Sequence, residues 1–110
     1  MGHVTTHVLD TTRGTPGVGI SVDLERLGPD PSFVATATTD AEGRVRDFAR
    51  ELPGEGTYQL TFDTAEHFAR NDQDTFFPVI SIRFTVVDAS QDFHIPLLLS
   101  PFSYSTYRGI

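Results

Sequence analysis

Apolar residues in this chain recur at every second position, in short runs cut apart by clusters of Gly, Pro and Asp. A period of two places successive side chains on opposite faces of a strand, so the pattern predicts an all-β sandwich or barrel rather than a helical fold. Val4, Thr6 and Val8 alternate with Thr5, His7 and Leu9 before the turn segment 12–17. Ile20, Val22 and Leu24 alternate with Ser21, Asp23 and Glu25, up to the break at Gly28-Pro29-Asp30-Pro31. A third run covers 33–39, and Asp40-Ala41-Glu42-Gly43 supplies a hairpin-type turn ahead of Arg44-Val45-Arg46. Tyr58, Leu60 and Phe62 restore the alternation after Leu52-Pro53-Gly54. Ile80, Ile82, Phe84 and Val86 form a long strand, and Phe93, Ile95, Leu97 and Leu99 the last one. The one helical candidate is 65–70, where Asp63 followed by Glu66 has the spacing of a capping box.

Two of these strands break the rule that the outer face is wet. With Phe93, Ile95, Leu97 and Leu99 inward, His94, Pro96 and Leu98 face out; with Val4 and Val8 inward, His7 and Leu9 face out. Leucine on an outer sheet face invites a partner, so these strands are expected to form an oligomer interface that also holds the histidines. The tail is also unusual. Pro101 to Ile110 carries Tyr104, Tyr107 and Arg108 directly after an apolar strand, and is expected to dock on the fold instead of fraying.

Composition narrows the function. A length of 110 residues fits a single domain, 1–110, with one core and one type of site. Its 8 basic residues, all Arg, stand against 15 acidic ones for a net charge of -7, which argues against nucleic acid or an anionic membrane as partner. The absence of Cys excludes a disulfide framework, a thiolate nucleophile and a zinc-thiolate cluster. No stretch approaches membrane-spanning length, and residues 1–6 have no secretory pattern, so the expected location is cytoplasmic.

The chemistry rests on a few side chains. His7 and His94 are the first candidates for general acid or base, because imidazole titrates near neutral pH. Either one alone reads better as a half-exposed strand histidine with a satisfied hydrogen bond; two on outward-facing positions beside apolar neighbours bring the readings nearer to even. Arg44 after a turn glycine, and Arg108 in the tail, could polarise a carbonyl-rich or anionic substrate through the guanidinium fork. Arg44 taken singly also fits a solvated strand end, like Arg46 and Arg50. His3 and His67 read as surface residues, and no local spacing among the four histidines supports a metal site.

The segments Thr6-His7-Val8-Leu9-Asp10-Thr11, Thr39 to Arg44, Phe76-Phe77-Pro78, and His94 to Pro101 through Tyr107-Arg108-Gly109 resemble, nearly end to end, the 5-hydroxyisourate hydrolases of the transthyretin-related family. The resemblance implies a seven- or eight-stranded transthyretin-like sandwich with one short helix, assembled as a homotetramer with sites in a central channel. It further implies hydrolysis of a ring amide of 5-hydroxyisourate in urate degradation, giving 2-oxo-4-hydroxy-4-carboxy-5-ureidoimidazoline without a cofactor. Carried over by position, His7, Arg44 and His94 are the catalytic set, with Arg108, Tyr107 and Ile110 at the substrate. His7 is the first choice as the base for water, and His94 as its orienter or the proton donor to the leaving nitrogen; the roles are exchangeable. Family tails ordinarily end in Ser where this chain has Ile110, whose side chain has no hydrogen-bonding group. Either that hydroxyl is dispensable, Ser105 or Thr106 stands in for it, or activity has been lost or shifted. Two other readings are a transthyretin-like module that binds an aromatic ligand without chemistry, and a purely structural monomeric sandwich.

Overall fold

The computed structural model describes residues 2–110. In chain order the elements are β1 (Val4–Asp10), β2 (Thr15–Pro16), β3 (Ser21–Gly28), β4 (Ser32–Thr38), β5 (Arg44–Val45), β6 (Gly56–Asp63), α1 (Ala65–Arg70), β7 (Val79–Val86), β8 (Phe93–Ser100) and β9 (Ser103–Thr106). The strands form two sheets. One has the order β2-β1-β8-β9, with β5 beside β1, and the other β4-β3-β6-β7. Between them lies the expected core, with Val8, Val22, Leu24, Leu60, Phe62, Ile80, Leu97 and Leu99 almost wholly removed from water. Burying each such side chain contributes about 1.5–3 kcal/mol, so the period-two pattern is the main force that pairs the sheets.

β1 and β8 lie side by side and parallel, from Val4↔Phe93 to Asp10↔Leu99. This pairing joins the two histidine-bearing strands from opposite ends of the chain. Both strands alternate as expected, with Thr5, His7, Leu9, His94 and Leu98 half-buried on the outer face. Pro96 is the exception there, being buried already within the single chain.

The tail docks, but through its backbone. Ser103 to Thr106 form a strand beyond the one read as last, pairing antiparallel with β8 from Ser100↔Ser103 to Leu97↔Thr106. The same register resumes without slip at His94↔Gly109. In between, Pro96 falls opposite Tyr107; it has no N–H to give, and the ladder is open there. Every side chain of β9 is exposed, so no alternation marks it in the sequence.

Two further expectations are corrected. The helix spans the predicted residues, but Asp63 does not cap it: Asp63 ends β6, paired with Val79, and the N-cap is Thr64. The Thr64 hydroxyl donates to the Phe77 carbonyl at 2.7 Å, tying the helix start to the segment before β7 instead of to its own N–H groups. His67 is not a surface residue. Phe68 anchors α1 in the core, and His67 beside it is buried, its Nε2 lying 2.9 Å from Oδ2 of the fully buried Asp10. His3 is half-exposed, as expected.

Candidate active site

The turn Asp40 to Gly43 builds one side of the site. Asp40 Oδ1 accepts the N–H groups of Glu42 at 2.8 Å and Arg44 at 3.0 Å, and these two bonds hold its carboxyl below the usual carboxylate range. Gly43 has a positive φ of 77°, and a Cβ there would sit 2.4 Å from the Val8 carbonyl, so only glycine lets the turn lie this close to β1. The Gly43 carbonyl accepts the Val8 N–H at 2.7 Å. Arg44 is thereby set directly opposite His7.

The same turn orients His7. The Glu42 carbonyl lies 3.0 Å from His7 Nε2, and since a carbonyl can only accept, Nε2 carries a proton, which in the neutral ring leaves the lone pair on Nδ1. His94 stands on the adjacent strand, level with Thr5, so it is the diagonal neighbour of His7 on one face. Its Nδ1 is 2.8 Å from Thr5 Oγ1. Burial, then the charges of Arg44 and His7, push the His94 pKa below the ordinary imidazole value; a hydrogen bond to the Thr5 backbone acts the other way, more weakly. His94 is therefore neutral at pH 7.

A cleft of about 470 Å³ is lined by Thr5, Arg44, Asp92, His94 and Ile110. An adjoining one of about 350 Å³ shares Thr5, Asp92, His94 and Ile110 and adds Arg108 and Gly109. Among the described residues no carboxylate pairs with Arg44, whereas neighbouring Arg46 is engaged by Asp40 and Glu42. The free guanidinium and the uncharged imidazole thus face one space. His7 is not among the residues that line either cleft; it stands beside them as the cross-strand partner of Arg44.

The tail residues divide. The Arg108 guanidinium lies over the Phe93 ring, 4.8 Å from its centre, and reaches the Asp92 carbonyl at 3.5 Å. Tyr107 lines a different, mostly apolar groove of about 290 Å³ with Phe84, Phe93 and Arg108. Ile110 is fully exposed at the cleft mouth. Neither stand-in for a terminal hydroxyl is near: Thr106 Oγ1 donates to the Pro96 carbonyl at 2.7 Å, and Ser105 is paired with Leu98. Leu98 is four residues along β8 from His94, about 13 Å at strand rise.

Sequence reading missed three contributors: Thr5, the Glu42 carbonyl and Gly109. Parity could have placed Thr5 on the face of His7, but its pairing with His94 depends on a register between distant strands. A hollow of about 480 Å³ beside α1, lined by Arg13, Val18, His67 and Arg70, lies apart from these residues.

A model of the HIUase/Transthyretin family matches residues 4–109. A 5-hydroxyisourate hydrolase of Deinococcus radiodurans is 44% identical over 117 residues, covering 98% of each chain. Among solved structures, Klebsiella pneumoniae 5-hydroxyisourate hydrolase matches with a TM-score of 0.86 and 39% identity, over 98% of this chain and 99% of that one. Sea bream transthyretin in complex with thyroxine matches as well in shape, with a TM-score of 0.88 over 97% and 94% of the two chains, but at 28% identity. Shape is common to the hydrolase and the transthyretin, while the match in sequence runs along almost the whole length: the chain belongs to the HIUase/Transthyretin family.

Proposed function

We propose that this chain is a 5-hydroxyisourate hydrolase acting in urate degradation, and that His7, Arg44 and His94 carry the reaction. The observation that carries the reading is their convergence on one sheet face from three separate strands. A carrier role is disfavoured by identity, 39% to the Klebsiella hydrolase against 28% to the sea bream carrier at equal likeness of fold.

In the proposed reaction, water attacks the ring amide carbonyl of 5-hydroxyisourate. His7, with its Nδ1 lone pair, takes the proton of that water as the new C–O bond forms. Neutral His94 holds the water, takes its second proton from the tetrahedral adduct and passes that proton to the ring nitrogen as the C–N bond breaks, leaving a carboxylate and an opened ring, while His7 returns its proton to solvent. Arg44 stabilises the negative charge on the attacked carbonyl oxygen, an effect worth several kcal/mol where water is excluded. Arg108 binds a more distant oxygen of the substrate, with Tyr107 and Ile110 at the margin. The product is 2-oxo-4-hydroxy-4-carboxy-5-ureidoimidazoline, and the chemistry calls for no cofactor.

The assembly we propose is a homotetramer in the cytoplasm. Leu9 and Leu98 are direct cross-strand partners, half-buried on the face that carries the histidines, and a second copy seated there would exclude water from both. No helix among the described residues is long and apolar enough to cross a membrane.

The test is ultraviolet spectroscopy of urate freshly oxidised by urate oxidase. Accelerated, stereospecific product formation supports the reading, and decay at the spontaneous rate refutes it. Light scattering that shows only monomer would remove the proposed assembly.

A further inference from the structure

The imidazole of His94 is clamped on two sides. Its Nδ1 meets Thr5 Oγ1 at 2.8 Å. Its Cδ2 edge lies against Gly109, where an added Cβ would come within 2.5 Å of Cδ2 and 3.2 Å of Cγ. The Gly109 N–H donates to the His94 carbonyl at 2.7 Å, which keeps that wall in place. What remains of the ring is the Nε2 end, which has no hydrogen-bond partner among the described residues, and His94 lines both clefts.

We propose that Thr5 is a positioning residue for the hydrolysis, its hydroxyl accepting the Nδ1–H of His94 so that the Nε2 lone pair is the nitrogen presented to the cleft. The proposal rests on the hydrolase reading and adds the group that sets the tautomer. A hydroxyl can either donate or accept, and turnover decides between the two. Whenever His94 gains a proton at Nε2 it becomes imidazolium, with hydrogen on both nitrogens, and Thr5 must then accept. If Thr5 also accepts in the neutral state, its bond is kept throughout the cycle and nothing reorganises as the proton moves. Thr5 accepts in this way whether His94 takes the proton of water or delivers one to the leaving nitrogen.

Two features of Thr5 suit this task. It is β-branched and lies within a strand, so its χ1 is stiff and its oxygen is held in place. It is also uncharged. A carboxylate at that position would raise the proton affinity of the imidazole, as in a Ser-His-Asp arrangement, whereas a hydroxyl orients the ring without making it cationic. The charged and titratable side chains around the cleft are His3, His7, Arg44, Arg46, Asp92 and Arg108, and none of them bonds to either nitrogen of His94.

The experiment compares Thr5→Val, which keeps shape and β-branching but removes the oxygen, with Thr5→Ser, which keeps the oxygen. Kinetics on 5-hydroxyisourate are read together with the ¹⁵N shifts of the His94 ring, assigned by comparison with His94→Gln. The expected result is a protonated Nδ1 and a bare Nε2 in the native protein and in Thr5→Ser, and mixed tautomers in Thr5→Val. The Val variant should lose kcat by about tenfold or more, within the range set by a misplaced catalytic group, with KM little changed. The Ser variant should recover most of it. A native-like tautomer and kcat in Thr5→Val, or an equal loss in both variants, overturns the proposal. Should the native protein fail to hydrolyse 5-hydroxyisourate, the hydrolase reading falls, while the ring ¹⁵N shifts still report separately whether Thr5 sets the tautomer.

Discussion

Gly109 stands directly opposite His94 across the pairing of β8 with the tail, so close that its missing side chain is what leaves room for the imidazole. The tail contributes to the site by its backbone as much as by Arg108. Beyond its docked strand it adds a residue whose smallness and single N–H fix where a histidine from β8 can lie.

Gly109→Ala should therefore damage catalysis more than folding. A Cβ 2.5 Å from His94 Cδ2 must push the ring aside, and a displacement on the order of 1 Å can cost about 10²-fold in rate. The expected outcome is a large loss of kcat with a melting temperature close to native. An unchanged kcat would mean that the position of the ring is unimportant.

His94 should titrate below 6.5, and Arg44→Gln should move it back toward that value by removing one of the charges that depress it. Loss of activity through protonation of His94 should therefore set in at lower pH than an ordinary imidazole would give. The same shift bears on stability. The unfolded chain takes up this proton more readily than the folded one, so the contribution of His94 is whole above pH 6.5 and is lost as pH falls through its folded value. NMR titration of the ring in both proteins checks the direction; a value above 6.5 in the native protein would contradict the account.

The buried pair of Asp10 and His67 should matter to stability and not to chemistry. Asp10 Oδ2 meets His67 Nε2, and its Oδ1 accepts the N–H groups of Thr12 and Arg13, each at 3.1 Å. Asp10→Ala strands those donors and the imidazole, at a cost of about 3–5 kcal/mol. Denaturant unfolding measures this loss, and kcat per folded molecule should be unaltered because Asp10 faces the core.

Ile110→Ser should change kcat/KM by much less than about tenfold, whereas a hydroxyl that stabilised the transition state directly would be worth about 10²–10³. Thr106 is committed to Pro96 and Ser105 lies with Leu98, so neither substitutes for a terminal hydroxyl here. Activity in the native chain therefore implies that the hydroxyl is dispensable. A gain of a hundredfold would show instead that Ile110 impairs the site.

Most of the fold was legible because burial and strand parity leave the same mark, and β1, β3, β6, β7 and β8 all carry it. β9 carries no such mark, since its four side chains are exposed and its ladder with β8 is made by the backbone. Asp63 and Glu66 have capping-box spacing, yet pairing with Val79 keeps Asp63 in β6 and Thr64 takes the cap. His67 sits in a helix with charged neighbours and reads as surface, because its partner Asp10 is 57 residues away. The site shows the same division. His7, Leu9, His94 and Leu98 share an outward parity that the sequence displays, while the placing of Thr5 and Gly109 on either side of one imidazole follows from registers that only the folded chain defines.

The most direct test of the whole account is the initial rate of 5-hydroxyisourate disappearance, measured side by side for the native protein, His7→Ala and His94→Ala, with circular dichroism to confirm the fold of each. The account predicts fast, stereospecific turnover by the native chain and a loss of about 10²–10⁴-fold in each variant, the range for removing a general acid or base. Native-like rates in both folded variants would contradict it.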